Sequence, residues 1–109
     1  MSAYSESAPT RAEVDALPGA TVIEFGTNWC GFCLAAQPHI SRALNEIRAG
    51  YPGLRHIKVE DGPGRALGRS FQVKLWPTLI FMKNGTEVAR VIRPSSSQAV
   101  SDAAAQILP

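Results

Sequence analysis

The strongest constraint on the fold is the β-branched and aromatic run TVIEF at residues 21–25, which is followed within five residues by a long helical pattern. Such a run predicts a strand that is buried on both faces. The helical pattern begins near Cys30 and stops at Gly50. Pro38 lies inside it, where a proline removes one backbone hydrogen bond and bends the helix. A buried strand that turns directly into a long helix favours an α/β domain.

The rest of the chain supplies further strands and helices in an order that predicts a mixed sheet. A capping-box pair, Thr10 and Glu13, predicts a short helix that ends at residue 17. The other predicted elements are a strand at 54–60, a short helix at 64–73, a hairpin at 77–93 that turns at Asn84 and Gly85, and a closing helix at 97–108. This order predicts one domain over residues 1–109, with a central mixed sheet flanked by helices on both faces. Residues 1–9 are expected to be poorly ordered.

Charge and hydropathy limit the possible partners. The net charge is +2, 45% of residues are hydrophobic and 18% are charged, which is typical of a globular domain. Acidic residues interrupt the basic ones and no aromatic-basic pattern appears, so we expect no nucleic-acid partner. The first residues lack the pattern of a secretory signal, and no run approaches the roughly 20 apolar residues of a membrane span. We therefore expect a cytoplasmic monomer that has no membrane partner.

The only two cysteines, Cys30 and Cys33, stand at the predicted start of the long helix. Such a pair can exchange disulfides, bind a metal or cluster, or staple a loop. A reducing cytoplasm and a loop of two intervening residues both argue against a staple. The spacing places both sulfurs on one side of the first helical turn. The helix N-terminus favours a thiolate at Cys30, which would attack a disulfide, and Cys33 would then resolve the mixed disulfide.

Two segments resemble the signatures of the thioredoxin family. In VIEFGTNWCGFCLAAQP a buried strand precedes a tryptophan, the cysteine pair and a proline five residues further on; LWPTLIFMKNG is similar to the segment that contains the family's cis-proline. The resemblance covers roughly residues 10–108. It implies a thioredoxin-like fold and a thiol–disulfide oxidoreductase that reduces protein disulfides, with Cys30 as nucleophile and Cys33 as resolving thiol. The redox-active disulfide would serve without a cofactor, and the electron donor would be a reductase or a small thiol.

The resemblance also implies which residues contact the substrate. These are Trp29, Gly31, Phe32, Trp76 and Pro77, and Pro38 supports the helix. Pro77 would be cis, although base rates alone favour trans for any such bond. Trp29 is expected to pack under the nucleophile and limit its access to solvent, and Trp76 to border the substrate groove.

Glu24 lies inside the apolar strand, where burial is expected to raise the pKa of a carboxylate. Its position matches the family's buried acid, usually Asp, which passes a proton to and from the resolving cysteine; a Glu that faces outward is the alternative. Lys58 lines up with a family lysine beside this acid, although a solvated lysine fits as well. His39 and His56 are expected to be structural or to lie on the surface.

Three residues depart from the family pattern. Phe32 replaces the proline that is common between the cysteines, Trp76 is bulkier than usual, and Ile92 or Arg93 stands where glycine is common. These changes leave substrate choice open, and also the direction of electron flow.

Two other functions use the same residues. A glutaredoxin-like protein could hold glutathione or an iron–sulfur cluster, but a cluster needs four thiolates and each chain has two. A zinc site would lack two ligands for the same reason, so no metal site is predicted. The fold could also serve as a binding module without turnover.

Overall fold

The computed structural model describes residues 3–109 as a four-stranded mixed sheet with helices on both faces. The helices are α1 (Arg11–Asp15), α2 (Gly31–Gly50), α3 (Ala66–Ser70) and α4 (Ser97–Ala105), and the strands are β1 (Ala20–Gly26), β2 (Arg55–Glu60), β3 (Thr78–Lys83) and β4 (Thr86–Ile92). The strand order is β2-β1-β3-β4, in which β1 runs parallel to β2 and antiparallel to β3, and β4 runs antiparallel to β3. The predicted fold class is confirmed. Within residues 3–109, no helix is both long and apolar enough to cross a membrane.

The central strand β1 divides the core into two layers. Its residues 21–25 are all buried, as predicted, and their side chains alternate between the two faces of the sheet. One face packs against α2 and α4, through Val22, Leu44, Phe81 and Val100 among others. The other face packs against α1 and α3, through Val14, Phe25, Ile80 and Phe71 among others. Burial on both faces explains why this strand reads as a continuous apolar run.

The helix α2 begins where β1 ends. Cys30 is its N-cap, and its sulfur accepts a hydrogen bond from the backbone N–H of Cys33. The helix continues through Pro38 to Gly50, as predicted. The predicted bend at the proline stays a prediction. The two cysteines therefore lie at the carboxyl end of the central strand, beside the start of a helix of 20 residues.

The predicted hairpin joins β3 and β4 with a tight turn. Asn84 and Gly85 both have positive φ angles, 50° and 81°, as a two-residue hairpin turn requires. The side chain of Asn84 also accepts a hydrogen bond from the backbone of Gly19 at 2.7 Å, which ties the turn to the segment before β1. The predicted hairpin turn at Asn84 and Gly85 is confirmed.

The N-terminal segment requires a correction. Met1 and Ser2 lie outside the described residues, but Tyr4 is 5% exposed, and Ser5 pairs with β2. The backbone of Ser5 donates to Lys58 at 3.0 Å and accepts from Glu60 at 2.8 Å. The expectation of poor order is therefore wrong for this part of the chain. The buried ring of Tyr4 and two backbone hydrogen bonds between Ser5 and the edge strand β2 hold the segment. A single residue that pairs with a strand is too short to give a periodic sequence pattern.

Candidate active site

The two cysteines differ in how far solvent can reach them. Both are free thiols; Cys30 is 7% exposed and Cys33 is 1% exposed. The N–H of Cys33 lies 3.2 Å from the sulfur of Cys30 and donates a hydrogen bond to it. An incoming disulfide can therefore reach Cys30 first, while Cys33 waits one turn deeper in the helix.

Cys33 is held in its protonated form. Burial raises the pKa of its thiol, the hydrogen bond with Cys30 and the charge of Cys30 raise it further, and the hydrogen bonds with Thr27 and Tyr4 only partly oppose them. The resulting pKa is about 11. At neutral pH Cys33 is a thiol, so it needs a proton acceptor before it can attack a disulfide.

Glu24 is the buried acid, and its carboxylate has three hydrogen-bond partners. The Tyr4 hydroxyl donates to Oε2 at 2.5 Å, the Gln37 amide donates to Oε2 at 2.8 Å, and His56 Nε2 lies 3.0 Å from Oε1. The side chain itself is fully buried. Glu24 thus faces inward, and the alternative of an outward-facing strand residue is excluded.

The expected direction of the Glu24 pKa shift is wrong. Burial by itself raises the pKa of this carboxyl, but the hydrogen bonds with His56, Tyr4 and Gln37, together with the charge of His56, outweigh burial and hold the pKa below its ordinary value. Only the burial of Glu24 is visible in the local sequence, since the hydrogen-bond donors come from distant parts of the chain. Glu24 is therefore ionised at neutral pH and is able to accept a proton.

Sequence reasoning missed three of these residues: Tyr4, Gln37 and His56. Gln37 stands four positions after Cys33, so helical spacing could have placed it on the same face. His56 stands two positions before Lys58 on β2, which puts both side chains on one side of the strand. Nothing local could have identified Tyr4.

Lys58 joins the same network. It is the register partner of Glu24 on the neighbouring strand. Its Nζ donates to the Gln37 side-chain oxygen at 2.7 Å and lies 4.6 Å from the centre of the Tyr4 ring. The structure thus places Lys58 beside the acid, where it orients Gln37 and contacts the face of Tyr4.

Aromatic side chains surround Cys30 on the surface. Trp29 is 74% exposed and Phe32 is 58% exposed. Trp29 meets the edge of Trp76 at a centroid distance of 5.9 Å, and Trp76 Nε1 donates to Asp61 at 2.9 Å. The expectation that Trp29 packs under the nucleophile is wrong, because this residue belongs to the turn before the helix and its ring stands out beside Trp76. Exposed aromatic rings of this kind are typical of binding surfaces.

Pro77 and Arg93 complete the rim. The peptide bond between Trp76 and Pro77 is cis, as the resemblance implied. Arg93 has a positive φ of 51°, its N–H donates to the Pro77 carbonyl at 2.9 Å, and its Nε donates to the Trp76 carbonyl at 2.9 Å. Its guanidinium carbon lies 3.7 Å from the centre of the Phe32 ring. Gly31 is exposed between the cysteines and has open space at its Cα.

No metal-binding cluster is found in the described part of the chain: residues 3–109 contain no group of three or more His, Cys, Asp or Glu side chains that could hold a metal ion.

The fold and the site together define a class of protein: mixed-sheet α/β domains that carry a cysteine pair at the start of a helix, next to a cis-proline. The family model described as Thioredoxin matches residues 5–106. This chain belongs to the thioredoxin family.

Similar proteins include thioredoxins and disulfide isomerases. The structure of thioredoxin 2 from Pseudomonas aeruginosa PAO1 in its reduced form is 57% identical, with a TM-score of 0.76, over 94% of this chain and 91% of that chain. Thioredoxin H8 of Arabidopsis thaliana is 32% identical over 65% of this chain and 45% of its own length. Protein disulfide-isomerase of Gallus gallus is 32% identical over 62% of this chain and 13% of its own length. The chain therefore spans less than half the length of these two curated relatives.

Proposed function

We propose that the protein is a thiol–disulfide oxidoreductase that reduces disulfides in other proteins. The observation that carries this proposal is the asymmetric cysteine pair, in which Cys30 is reachable at the helix N-terminus and Cys33 is buried beside an ionised carboxylate. The similarity to thioredoxin 2 of Pseudomonas aeruginosa over most of both chains supports the same function.

The reaction proceeds in two exchange steps. The Cys30 thiolate attacks one sulfur of a substrate disulfide, forms a mixed disulfide and releases the other substrate sulfur as a thiolate. Cys33 loses its proton and attacks the sulfur of Cys30, which releases the second substrate thiolate and leaves a disulfide between Cys30 and Cys33. The substrate gains two electrons and the protein loses two. A reductase or a small thiol then returns them.

Glu24 is the base for the second step. Its pKa is held below the ordinary value and that of Cys33 is raised to about 11, so at neutral pH the carboxylate is ionised and can take the proton of the thiol while the Cys33 sulfur attacks. Pairs of groups whose environments separate their pKa values in this way are typical of acid–base assignments in enzymes.

Reduction of insulin by dithiothreitol is the direct test. We expect the protein to accelerate this reaction well above the dithiothreitol background, followed as turbidity from the precipitating chains. A titration of the Cys30–Cys33 couple against glutathione should then give a potential nearer to about −270 mV than to about −180 mV, since the proposed role is that of a reductant. If the protein does not accelerate insulin reduction, the proposed activity is wrong. A potential near about −180 mV would mean that electrons flow in the opposite direction, from the substrate to the protein.

The same preparation separates the alternatives. A glutaredoxin-like cluster would give the purified protein a visible absorption band that a chelator removes. A binding module would bind its protein partners but would not accelerate the reduction of insulin. The absence of a cofactor, the monomeric state and the cytoplasmic location remain predictions.

Arg93 should give the enzyme a preference for acidic substrates. A carboxylate next to the substrate disulfide would lie near the Arg93 guanidinium, which stacks over Phe32. Two opposite charges about 4 Å apart in water attract each other by about 1 kcal/mol, which corresponds to about fivefold in rate. Two disulfide peptides that differ only by Glu or Lys beside the cystine measure this effect as the ratio of their kcat/KM values.

Arg93→Ala should bring that ratio close to one, and high salt should do the same in the wild type. The matched control is Arg42→Ala, because Arg42 is an exposed arginine of α2 whose Nε is paired with Glu46 at 3.4 Å. An equal loss of preference in both variants would show that net charge, and not Arg93, sets the preference.

A further inference from the structure

Tyr4 contacts both Glu24, by a hydrogen bond, and the space above Gly26 that the Cys33 sulfur also occupies. A β-carbon added to Gly26 would lie 2.7 Å from the Cys33 sulfur and 2.8 Å from the Tyr4 hydroxyl oxygen. The sulfur and the hydroxyl thus both pack into the space above Gly26 that any other side chain would occupy. The resulting interaction between Tyr4 and Cys33 also acts on the pKa of each.

The hydrogen bonds of Tyr4 have a defined direction. A phenol has one O–H to donate and lone pairs to accept with. The hydrogen goes to Glu24 Oε2 at 2.5 Å, and the Gln37 amide donates to the hydroxyl oxygen at 3.2 Å. The remaining acceptor capacity of the oxygen is available to the S–H of Cys33. The network therefore points from the thiol, through the phenol, to the carboxylate.

From this geometry we infer that Tyr4 is a proton relay for the resolving step, and that His56 is the exit of the relay toward solvent. The Cys33 proton passes to the Tyr4 oxygen while the Tyr4 proton passes to Glu24, so the phenol is neutral before and after the step. The proton moves as the Cys33 sulfur forms its bond to the Cys30 sulfur, and the substrate thiolate leaves with the electron pair of the broken bond. The products are the disulfide between Cys30 and Cys33, the substrate thiolate and a protonated Glu24.

The exit begins at the other oxygen of Glu24. His56 Nε2 lies 3.0 Å from Oε1, and the His56 side chain is 18% exposed. His56 and Lys58 line an open depression between β2 and α2, together with polar residues of α2. A proton on Glu24 can therefore reach solvent through the histidine, although the carboxylate itself is fully buried.

The titratable groups that face this relay come from every element around it. They are Tyr4 itself, Glu24 of β1, His56 and Lys58 of β2, Cys30 and Cys33 at the start of α2, and Arg48 of α2 beside the exit. Burial, and then the charge and hydrogen bond of Glu24, raise the pKa of Tyr4 far above its ordinary value. Tyr4 therefore stays protonated and bridges the two groups without ionising.

The inference rests on the proposed function, and a single-turnover experiment keeps the two apart. Reduced protein is mixed rapidly with one equivalent of dithiobis(nitrobenzoate), whose released thiolate is coloured. The first release reports the attack by Cys30, and the second reports resolution by Cys33. If the wild type gives no second release, the proposed exchange fails; if the second release occurs, its rate tests the relay.

Tyr4→Phe keeps the ring and removes only the hydroxyl. We expect the second release to be slower by about 10²-fold at pH 7, the lower end of what a positioned acid or base contributes, while the first release is unchanged and shows that the fold is intact. Tyr51→Phe, at the only other tyrosine, is the matched control and should change neither rate, since Tyr51 caps the far end of α2.

The pH profile separates a relay from a merely structural role. Wild-type resolution should be nearly independent of pH between about 6 and 8, because ionised Glu24 takes the proton throughout that range. In Tyr4→Phe the rate should follow the Cys33 thiolate and rise about tenfold per pH unit toward the pKa of about 11. If Tyr4→Phe resolves at the wild-type rate with no dependence on pH, the relay is overturned. A resolution rate that rises tenfold per pH unit in the wild-type protein would also overturn it, and that measurement requires no variant.

Discussion

Cys30→Ser should abolish disulfide reduction, with a loss of about 10³-fold or more in the insulin assay. A serine hydroxyl is a much weaker nucleophile than a thiolate and cannot form the mixed disulfide. The residual rate should equal the dithiothreitol background, because Cys33 is 1% exposed and cannot take over the first attack.

Cys33→Ser is the matched control for this prediction. It keeps the nucleophile Cys30 and removes only the resolving thiol, so the reaction should stop at the mixed disulfide. Mass spectrometry of the protein after reaction with a disulfide peptide should show one attached peptide chain. Turnover in Cys30→Ser together with trapping at Cys33 would mean that the two roles are reversed.

Gly26→Val should strongly destabilise the protein although it leaves both cysteines in place. A β-carbon at this position would lie 2.7 Å from both the Cys33 sulfur and the Cζ atom of Tyr4, closer than real contacts allow. Overpacking of this kind costs typically 1–3 kcal/mol, and here we expect about 3 kcal/mol in the free energy of unfolding. Denaturant unfolding measures this loss, and the resolving rate should fall with it because Tyr4 is displaced.

Gly50→Ala supplies the comparison for Gly26. Gly50 is the last residue of α2, and a β-carbon there would meet nothing within 4 Å. Alanine is the better helix former, so stability should stay the same or rise by up to about 1 kcal/mol. If Gly26→Val unfolds at the same denaturant concentration as the wild type, the close approach of Tyr4 to Cys33 is not the native arrangement.

The elements that the sequence predicted correctly are those whose signals are local. TVIEF reads as a buried strand because Val22, Ile23 and Phe25 form a β-branched and aromatic run, and all five residues are buried in the structure. The Asn-Gly turn is readable because few residue pairs adopt two positive φ angles in succession. The cysteine pair is readable because helical spacing alone brings positions three apart to one side.

The features that the sequence did not predict depend on contacts between distant residues. Tyr4 is 20 positions from Glu24 and 29 from Cys33, and His56 is 32 from Glu24. The direction of the Glu24 pKa shift depends on these partners, since burial alone would have produced the opposite shift. The position of the Trp29 ring likewise involves a contact with Trp76, 47 positions further along the chain.

The sequence by itself determined the order of strands and helices, the position of the cysteine pair at a helix start and the family to which the chain is similar, because periodicity, turn chemistry and short motifs act over a few residues. Only the tertiary structure decided how the proton of Cys33 is handled. The parallel pairing of β1 with β2 and the return of the N-terminal segment bring Tyr4, Glu24 and His56 into one buried network. In such a network the number of hydrogen-bond donors, and not burial alone, decides whether a carboxylate keeps its charge.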